Sequence, residues 1–294
     1  MFKGAIVAIV TPFKKGRVDE DALRELIERQ IKYGTDGIVP CGTTGESATL
    51  SHEEHDRVIE ITIEAVRKRV PVIAGTGSNS TAEALRLTKH AYEAGADGVL
   101  MVTPYYNKPT QEGMYQHFKT IAEEIPIPVI LYNVPGRTGG NLLPETILRL
   151  SSVPNIVGVK EASGSLKQIM DVIHVCPADF CVLSGDDAMA LPVLAMGGSG
   201  VISVFSNVAP GDMADMIDAY QAGDIAQART QHYHMLPLMD ALFIETNPIP
   251  VKAALAMMGL IDYELRLPLC RMSKNNDDKL EKVLLTYGLL TNRK

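Results

Sequence analysis

The chain alternates between short runs of apolar residues and longer segments whose apolar residues recur every three to four positions. Short continuous apolar runs are typical of strands that are buried on both faces, and the longer spacing is typical of the helices that cover a parallel sheet. The runs are 5–10, 37–42, 70–75, 98–103, 128–133, 156–161, 180–184 and 200–205. Eight strand–helix units predict an α/β fold of the closed (β/α)₈ (TIM) barrel type. A doubly wound sheet is the alternative, but the glycine-rich dinucleotide motif of that fold is missing after the first strand.

Polar residues indicate where several of the helices begin. Asp19 can cap the first helix, and Pro144 suits the first turn of a later one. The segments 51–54 and 80–83 each place a serine three residues before a glutamate, which is the spacing of a capping box. We therefore expect helices to begin close to these four positions.

The barrel pattern is complete by residue 224, and a segment of different character follows. Residues 225–294 contain no further buried-strand pattern and are rich in apolar residues at helical spacing. Helices are predicted at 210–222, 225–242, 248–258 and 277–290. We therefore predict a catalytic barrel over 1–224 and a C-terminal helical segment over 225–294 that packs on the barrel or between subunits.

Charge and composition exclude several classes of protein. The chain has 28 basic and 35 acidic residues, a net charge of −7, and no basic cluster, which argues against a nucleic-acid partner. No apolar stretch approaches the ~20 residues of a membrane span, and the first residues do not resemble a signal peptide. The four cysteines have no disulfide or redox spacing. We therefore expect a cytoplasmic protein that binds small molecules.

In a (β/α)₈ barrel the active site forms at the carboxyl ends of the strands, and one strand end carries a lysine. The predicted sixth strand is apolar on both faces but ends in Lys160 and Glu161. Because the unperturbed pKa of lysine is ~10.4, only a trace of the amine is neutral near pH 7, and burial lowers that pKa. A neutral buried amine can form a Schiff base with a ketone. A structural pair with Glu161 is the alternative, although adjacent strand residues point to opposite faces.

Other strand ends supply groups that could act with this lysine. Tyr132 ends the neighbouring strand and could serve as a general acid or base, or it could be a half-buried barrel tyrosine. The turn containing Thr43 and Thr44 offers backbone amides and hydroxyls suited to a small carboxylate, or it could be an ordinary tight turn. Arg137 could hold a carboxylate with two hydrogen bonds, although a solvated loop arginine is commoner.

Metal chemistry has little support in the sequence. His52 and His55 are three residues apart, and His232 and His234 are two apart. No carboxylate–histidine set gathers at the strand ends, where a catalytic metal would be needed. We therefore expect no metal in the site.

These strand-end motifs resemble the dihydrodipicolinate synthase family, within the wider group of pyruvate-dependent class I aldolases that includes N-acetylneuraminate lyase. The resemblance covers essentially the whole chain. It is carried by 42–46 (GTTGE) with Glu53, by 132–139 (YNVPGRTG) with 158–162 (GVKEA), and by 103–106 (TPYY) and 247–252 (NPIPVK).

The resemblance implies specific roles at the catalytic centre. Lys160 would form a Schiff base with pyruvate, so no separate cofactor would be needed. Thr43 and Thr44 would hold the pyruvate carboxylate. Tyr132, Thr43 and Tyr106 would form a proton relay, with Tyr106 contributed by a neighbouring subunit.

The resemblance also implies a second substrate and an assembly. Arg137 would bind the carboxylate of L-aspartate-4-semialdehyde, whereas sialic acid lyases lack an arginine there because their aldehyde partner is a neutral sugar. Gly185 and Ile202 would line the pocket through backbone atoms. The product would be 4-hydroxy-tetrahydrodipicolinate, and the assembly would be a homotetramer built as a dimer of dimers.

Lysine-inhibited members of the family have a small site at a subunit interface, and the matching positions are occupied here. They are Ser47, Ala48, His52, His55, Asn79, Glu83 and Tyr105. A carboxylate can pair with the ammonium groups of L-lysine, while amide and phenol groups can donate to its carboxylate. We expect L-lysine to inhibit the enzyme, and the alternative is that these residues only cap helices and cover the surface.

Three other functions stay open at this stage. One is a related pyruvate aldolase that acts on a sugar acid or a hydroxy-oxo acid. Another is a silent barrel that binds lysine or pyruvate as a sensor, against which the complete set of Lys160, Tyr132 and Thr43 argues. The third is a metal-dependent aldolase.

Overall fold

Eight parallel strands form a nearly closed barrel in the computed structural model, which describes residues 2–291. The strands β1 to β8 are Gly4–Ala8, Gly37–Val39, Ile73–Gly75, Gly98–Val102, Val129–Asn133, Ile156–Glu161, Cys181–Ser184 and Gly200–Ser203. Seven of the eight neighbouring pairs are laddered, and a bridge between Ile38 and Val72 joins β2 to β3. The predicted (β/α)₈ barrel is therefore confirmed.

The helices follow the strands as expected for this fold. They are α1 Glu20–Lys32, α2 His52–Val66, α3 Thr81–Ala94, α4 Gln111–Glu124, α5 Pro135–Thr138, α6 Pro144–Leu150, α7 Leu166–Val175, α8 Ala190–Ala195, α9 Pro210–Gln221, α10 Ile225–Ala241, α11 Ile249–Met257 and α12 Lys274–Tyr287. The sequence did not predict a small antiparallel hairpin, Phe13–Lys14 with Arg17–Val18, which follows β1.

All four predicted helix starts are confirmed, since α3 also begins at Thr81, directly after Ser80. Asp19 accepts a hydrogen bond from the amide of Ala22, and Pro144 is the first residue of α6. The capping box at 51–54 is present with both of its hydrogen bonds.

The predicted capping box at 80–83 is wrong. The side chain of Ser80 makes no capping hydrogen bond. Glu83 instead accepts hydrogen bonds from the hydroxyl of Ser78 and from the ring of His52, which belongs to α2. A partner from a neighbouring helix has therefore replaced the local contact that the spacing predicted.

The C-terminal region is helical and packs on the barrel. Helix α9 lies against β1, α10 lies against α9, and α12 contacts both α10 and α11. Met235, Leu238 and Leu280 from this region are fully buried. Residues 1 and 292–294, at the outer limits of the two predicted segments, lie outside the described residues.

Over residues 2–291, no helix combines the length and the apolar character that crossing a bilayer requires.

The pairing of β5 with β6 places the side chains of the site. Tyr132 is directly opposite Lys160 in the parallel register, and Asn133 is opposite Glu161. Side chains alternate between the faces of a strand, so each of these pairs shares one face. Tyr132 and Lys160 face the barrel interior, whereas Asn133 and Glu161 face the surrounding helices, where Gln168 of α7 contacts Glu161.

Candidate active site

Lys160 is a buried amine without a carboxylate partner. Its side chain is 5% exposed, and its Nζ lies 4.3 Å from the centre of the Tyr132 ring. Among the described residues, no carboxylate lies within ion-pair distance of that Nζ. Burial lowers the pKa of Lys160 to about 8, with the charge of Arg137 adding to the effect and that of Asp187 opposing it. About a tenth of the amine is therefore neutral at pH 7, far more than at the unperturbed pKa of ~10.4.

Glu161 does not pair with Lys160. Its carboxylate accepts hydrogen bonds from Asn133 Nδ2 at 2.7 Å and from Gln168 Nε2 at 3.2 Å. Burial raises the pKa of Glu161, and these hydrogen bonds oppose that rise. The carboxylate is satisfied on the outer face of the strand, which leaves the lysine on the inner face free for chemistry.

Tyr132 lies beside Lys160 in the barrel interior, with its ring centre 4.3 Å from Lys160 Nζ. It is 7% exposed, and burial is the main cause that raises the pKa of its hydroxyl. The charge of Arg137 and a hydrogen bond with the Thr43 side chain act in the opposite direction. The structure thus brings together Tyr132, Thr43 and Lys160, from three different strand ends.

A cavity of about 270 Å³ opens above these groups. Its walls include both threonines of the GTTGE turn, Thr43 and Thr44, together with Arg137 and Lys160. Three cationic or hydroxyl-bearing strand ends therefore converge on a space that suits a small carboxylate-bearing substrate.

Gly185 lies in the cavity wall at a point where no side chain fits. A Cβ there would lie 3.1 Å from Cε of Lys160 and 2.7 Å from Cβ of Ala162. Glycine at this position leaves room for the lysine, and it exposes backbone to the cavity.

Two predicted site residues lie away from this cavity in the single chain. Ile202 is 1% exposed and packs in the barrel interior beside Leu183. Tyr106 is 89% exposed and has a positive φ of 73°. The single chain therefore does not bring either side chain to Lys160, and their roles stay predictions.

Sequence reasoning missed two residues of the site. Asp187 is 2% exposed, and its carboxylate accepts hydrogen bonds from the backbone amides of Val204 and Phe205. Burial raises the pKa of Asp187 to about 6. Its position directly after a strand end was the signal that could have found it.

Asn247 is the other missed residue. Its Nδ2 donates to Thr44 Oγ1 at 3.0 Å, and its carbonyl accepts from Arg137 at 3.1 Å. The motif 247–252 had been noted only for its resemblance, because nothing in a linear sequence joins residue 247 to residue 44.

A second, larger cavity of about 440 Å³ adjoins the first, and it contains most of the predicted lysine-binding residues. Both cavities share Thr43, Arg137 and Asn247 in their walls. The predicted residues that line the larger cavity are Ser47, Ala48, His52, His55, Glu83 and Tyr105.

Some of the polar side chains around this larger cavity have hydrogen-bond partners within the chain, and others do not. Nε2 of His52 lies 3.0 Å from a carboxylate oxygen of Glu83. Burial lowers the pKa of His55 to about 4, and its Nδ1 has no hydrogen-bond partner. Asn79 does not line the cavity, and it donates to the carbonyl of Tyr105 at 3.2 Å. Six of the seven predicted residues thus line one cavity, and the seventh, Asn79, is bonded to one of them, Tyr105.

No group of three or more His, Cys, Asp or Glu side chains in residues 2–291 is arranged to hold a metal ion.

The fold and the site define a class of enzyme, the (β/α)₈ lyases, here with a buried lysine near the end of the sixth strand. A family model described as the dihydrodipicolinate synthetase family matches residues 1–286. The chain belongs to this family.

Individual relatives agree with this assignment. The chain is 70% identical to the 4-hydroxy-tetrahydrodipicolinate synthase of Syntrophus aciditrophicus over 290 residues, which is 99% of this chain and all of the relative. A dihydrodipicolinate synthase from Acinetobacter baumannii, solved with pyruvate, is 49% identical and superposes with a TM-score of 0.97 over 99% of this chain and 100% of its own. The enzyme from Cyanidioschyzon merolae, solved with lysine bound, is 42% identical with a TM-score of 0.96 over 98% and 99%.

Proposed function

We propose that this enzyme condenses pyruvate with L-aspartate-4-semialdehyde to form 4-hydroxy-tetrahydrodipicolinate, the first committed step of the diaminopimelate route to lysine. The observation that carries the proposal is the buried Lys160 amine, which lies over the Tyr132 ring in a cavity shared with Thr44 and Arg137. The name of the 70% identical relative agrees with it.

The reaction begins with the amine of Lys160. Neutral Nζ attacks the ketone carbon of pyruvate, and loss of one water gives a protonated Schiff base. Thr43 and Thr44 bind the pyruvate carboxylate, which orients the ketone towards the lysine. Loss of a proton from the methyl group then gives an enamine. No metal or separate cofactor takes part, because the protonated Schiff base itself accepts the electron pair.

The second half of the reaction forms the new carbon–carbon bond. The enamine carbon adds to the aldehyde of the semialdehyde, whose carboxylate is held by Arg137. The substrate amine then attacks the Schiff base carbon and displaces Lys160, which closes the ring and frees the enzyme. Gly185 leaves room for this step beside Lys160.

Protons move through hydroxyl groups at the floor of the cavity. Tyr132 and Thr43 form the inner part of a relay, supported by their places in the wall of the same cavity. Tyr106 completes it from a neighbouring subunit of a homotetramer, which fits its high exposure in the single chain. We place the enzyme in the cytoplasm.

Arg137 separates this function from that of a related aldolase with a neutral sugar aldehyde. In Arg137→Leu, kcat/KM for aspartate semialdehyde is expected to fall about 10²-fold, because a hydrogen bond to a charged group contributes about 1.5–3 kcal/mol. The pyruvate KM should change much less. A coupled assay with both aldehydes measures these values.

Arg149→Leu is the matched control for this experiment, because Arg149 pairs with Glu112 on an exposed surface. It should leave both KM values unchanged. Efficient turnover of a sugar aldehyde by the wild type, or an Arg137→Leu variant with full activity on the semialdehyde, would contradict the proposed substrate.

We also propose that L-lysine inhibits the enzyme by binding in the larger cavity. The support is the convergence of Glu83, His52 and Tyr105 there, together with the lysine-bound relative. Glu83 supplies the carboxylate for an ammonium group, and His55, whose Nδ1 has no hydrogen-bond partner, lines the same cavity.

A lysine titration tests this regulation. Glu83→Gln is expected to raise the half-inhibiting lysine concentration roughly ten- to a hundredfold, since one charge-assisted hydrogen bond is lost. Glu93→Gln changes an exposed residue of the same helix and is the control. Wild-type activity that does not change at millimolar lysine would refute the site.

A further inference from the structure

The turn that carries Thr43 and Thr44 is held in an unfavourable backbone conformation. Cys41 and Glu46, on either side of the two threonines, have φ values of 55° and 53°. Residues with a Cβ adopt this left-handed region rarely, and they remain there only where the surroundings fix them. The barrel strands alone do not supply the contacts that fix Glu46.

Glu46 is fixed by a buried ion pair with Lys252 of α11. Both side chains are completely buried, and Lys252 Nζ lies 2.5 Å from Glu46 Oε1. The same Nζ donates to the carbonyl of Thr11 at 3.0 Å and lies 4.2 Å from the centre of the Phe13 ring. Burial lowers the pKa of Lys252, and Glu46 opposes that effect.

The second oxygen of Glu46 is held by the C-terminal region as well. Glu46 Oε2 accepts the backbone amide of Arg266 at 3.1 Å. The guanidinium of Arg266 pairs with Glu54 of α2 and donates to the carbonyl of Thr49. Both ends of the segment that follows the threonines are therefore tied to residues outside the barrel.

The same C-terminal region also contacts the substrate-facing side of the turn. Asn247, five residues before Lys252, donates to Thr44 Oγ1 and accepts from Arg137. The segment 247–252 thus contacts the turn at two points. Lys252 pairs with Glu46, and Asn247, which lines the cavity, bonds to Thr44.

We propose that the Glu46–Lys252 pair is a positioning element that holds Thr43 and Thr44 in the geometry that binds the pyruvate carboxylate. The inference rests on the proposed function, in which these threonines bind pyruvate. Lys252 does not line the Lys160 cavity, so it acts only through Glu46. The helical region that follows the barrel would then help to position the residues that bind pyruvate.

The decisive experiment uses the double variant Glu46→Gln/Lys252→Met. Lys252→Met alone leaves a buried carboxylate unpaired and is expected to destabilise the protein, whereas replacing both charges with neutral groups of similar size is often tolerated. Pyruvate binding is measured by the concentration that gives half-maximal borohydride-trapped adduct on Lys160.

The half-saturating pyruvate concentration is expected to rise about tenfold or more in the folded double variant, because at least one charge-assisted contact to the carboxylate is misplaced. The KM for the semialdehyde should remain close to that of the wild type, since Arg137 is untouched. A merely structural role would reduce the amount of folded protein and the amplitude of trapping, without moving the half-saturation point.

Lys274→Met is the matched control, because Lys274 belongs to an exposed ion pair with Asp278 in the same C-terminal region. It should leave pyruvate half-saturation unchanged. A double variant that is folded and retains wild-type half-saturation overturns the inference. A wild type that forms no adduct with pyruvate would instead overturn the proposed function, so the two failures are distinguishable.

Discussion

Replacing Lys160 with alanine is expected to abolish condensation and to eliminate the adduct that borohydride traps with pyruvate. The loss of kcat should be at least about 10⁴-fold, which is typical when a covalent nucleophile is removed. The physical reason is that, among the described residues, Lys160 is the only lysine that lines the cavity, whereas Lys252 is fully buried and paired with Glu46. Peptide mapping of the trapped protein measures the site of attachment.

The pH dependence of trapping tests the state of the same amine. Burial lowers the pKa of Lys160 to about 8, so about a tenth of the amine is neutral at pH 7, compared with a trace at the unperturbed pKa of ~10.4. Because the neutral form attacks, the adduct-forming rate at low pyruvate should rise with pH and level off above about 8.

The exposed Lys274 provides the control for attachment, since Lys274→Met should trap pyruvate like the wild type. An adduct that persists in Lys160→Ala, or a trapping rate that keeps rising steeply to pH 10, would show that another amine carries the reaction. Loss of activity on chelation without any adduct would favour the metal-dependent alternative.

Tyr132→Phe is expected to reduce kcat by about 10²- to 10⁴-fold, which is the usual contribution of a general acid–base group. The substitution keeps the aromatic ring that lies 4.3 Å from Lys160 Nζ, so the environment of the amine changes little. Only the hydroxyl that contacts Thr43 is removed. Steady-state kinetics at saturating pyruvate measures the effect.

Tyr220→Phe is the matched control for this variant. Its hydroxyl donates to the carbonyl of Leu194, away from the cavity, so kcat should be unchanged. If Tyr132→Phe keeps more than about a third of wild-type kcat, the hydroxyl is not the acid–base group. In that case the relay would have to run through Thr43 by another route.

The barrel and its reactive lysine were predictable because both depend on local patterns. Eight continuous apolar runs of strand length indicate strands that are buried on both faces, and a sheet is buried in this way only when helices cover it. The alternation of side chains along a strand also separated Lys160 from Glu161 before any contact was known. The structure confirms this separation, with Glu161 bonded to Asn133 on the outer face.

Local spacing was misleading where a distant partner competed. The segment 80–83 has the spacing of a capping box, yet Glu83 turns to His52 on the neighbouring helix. A charged side chain on a helix start contacts whichever donor the packing brings closest, and that donor came from α2. The capping box at 51–54 formed although Arg266 also pairs with Glu54, because Glu54 Oε2 still accepts the backbone amide of Ser51.

By itself the sequence determined the eightfold strand–helix alternation, the end of the chain at which the helical segment lies, and the strand ends that carry Lys160, Tyr132 and Arg137. These follow from periodicities of two and 3.6 residues, which any segment expresses without reference to the rest of the chain. Only the tertiary structure decided what surrounds those strand ends. The contacts of Thr44 with Asn247 and of Glu46 with Lys252 join residues 203 and 206 positions apart. Such pairs have no periodic signal, because they exist only once the barrel has closed and the C-terminal helices have packed against it.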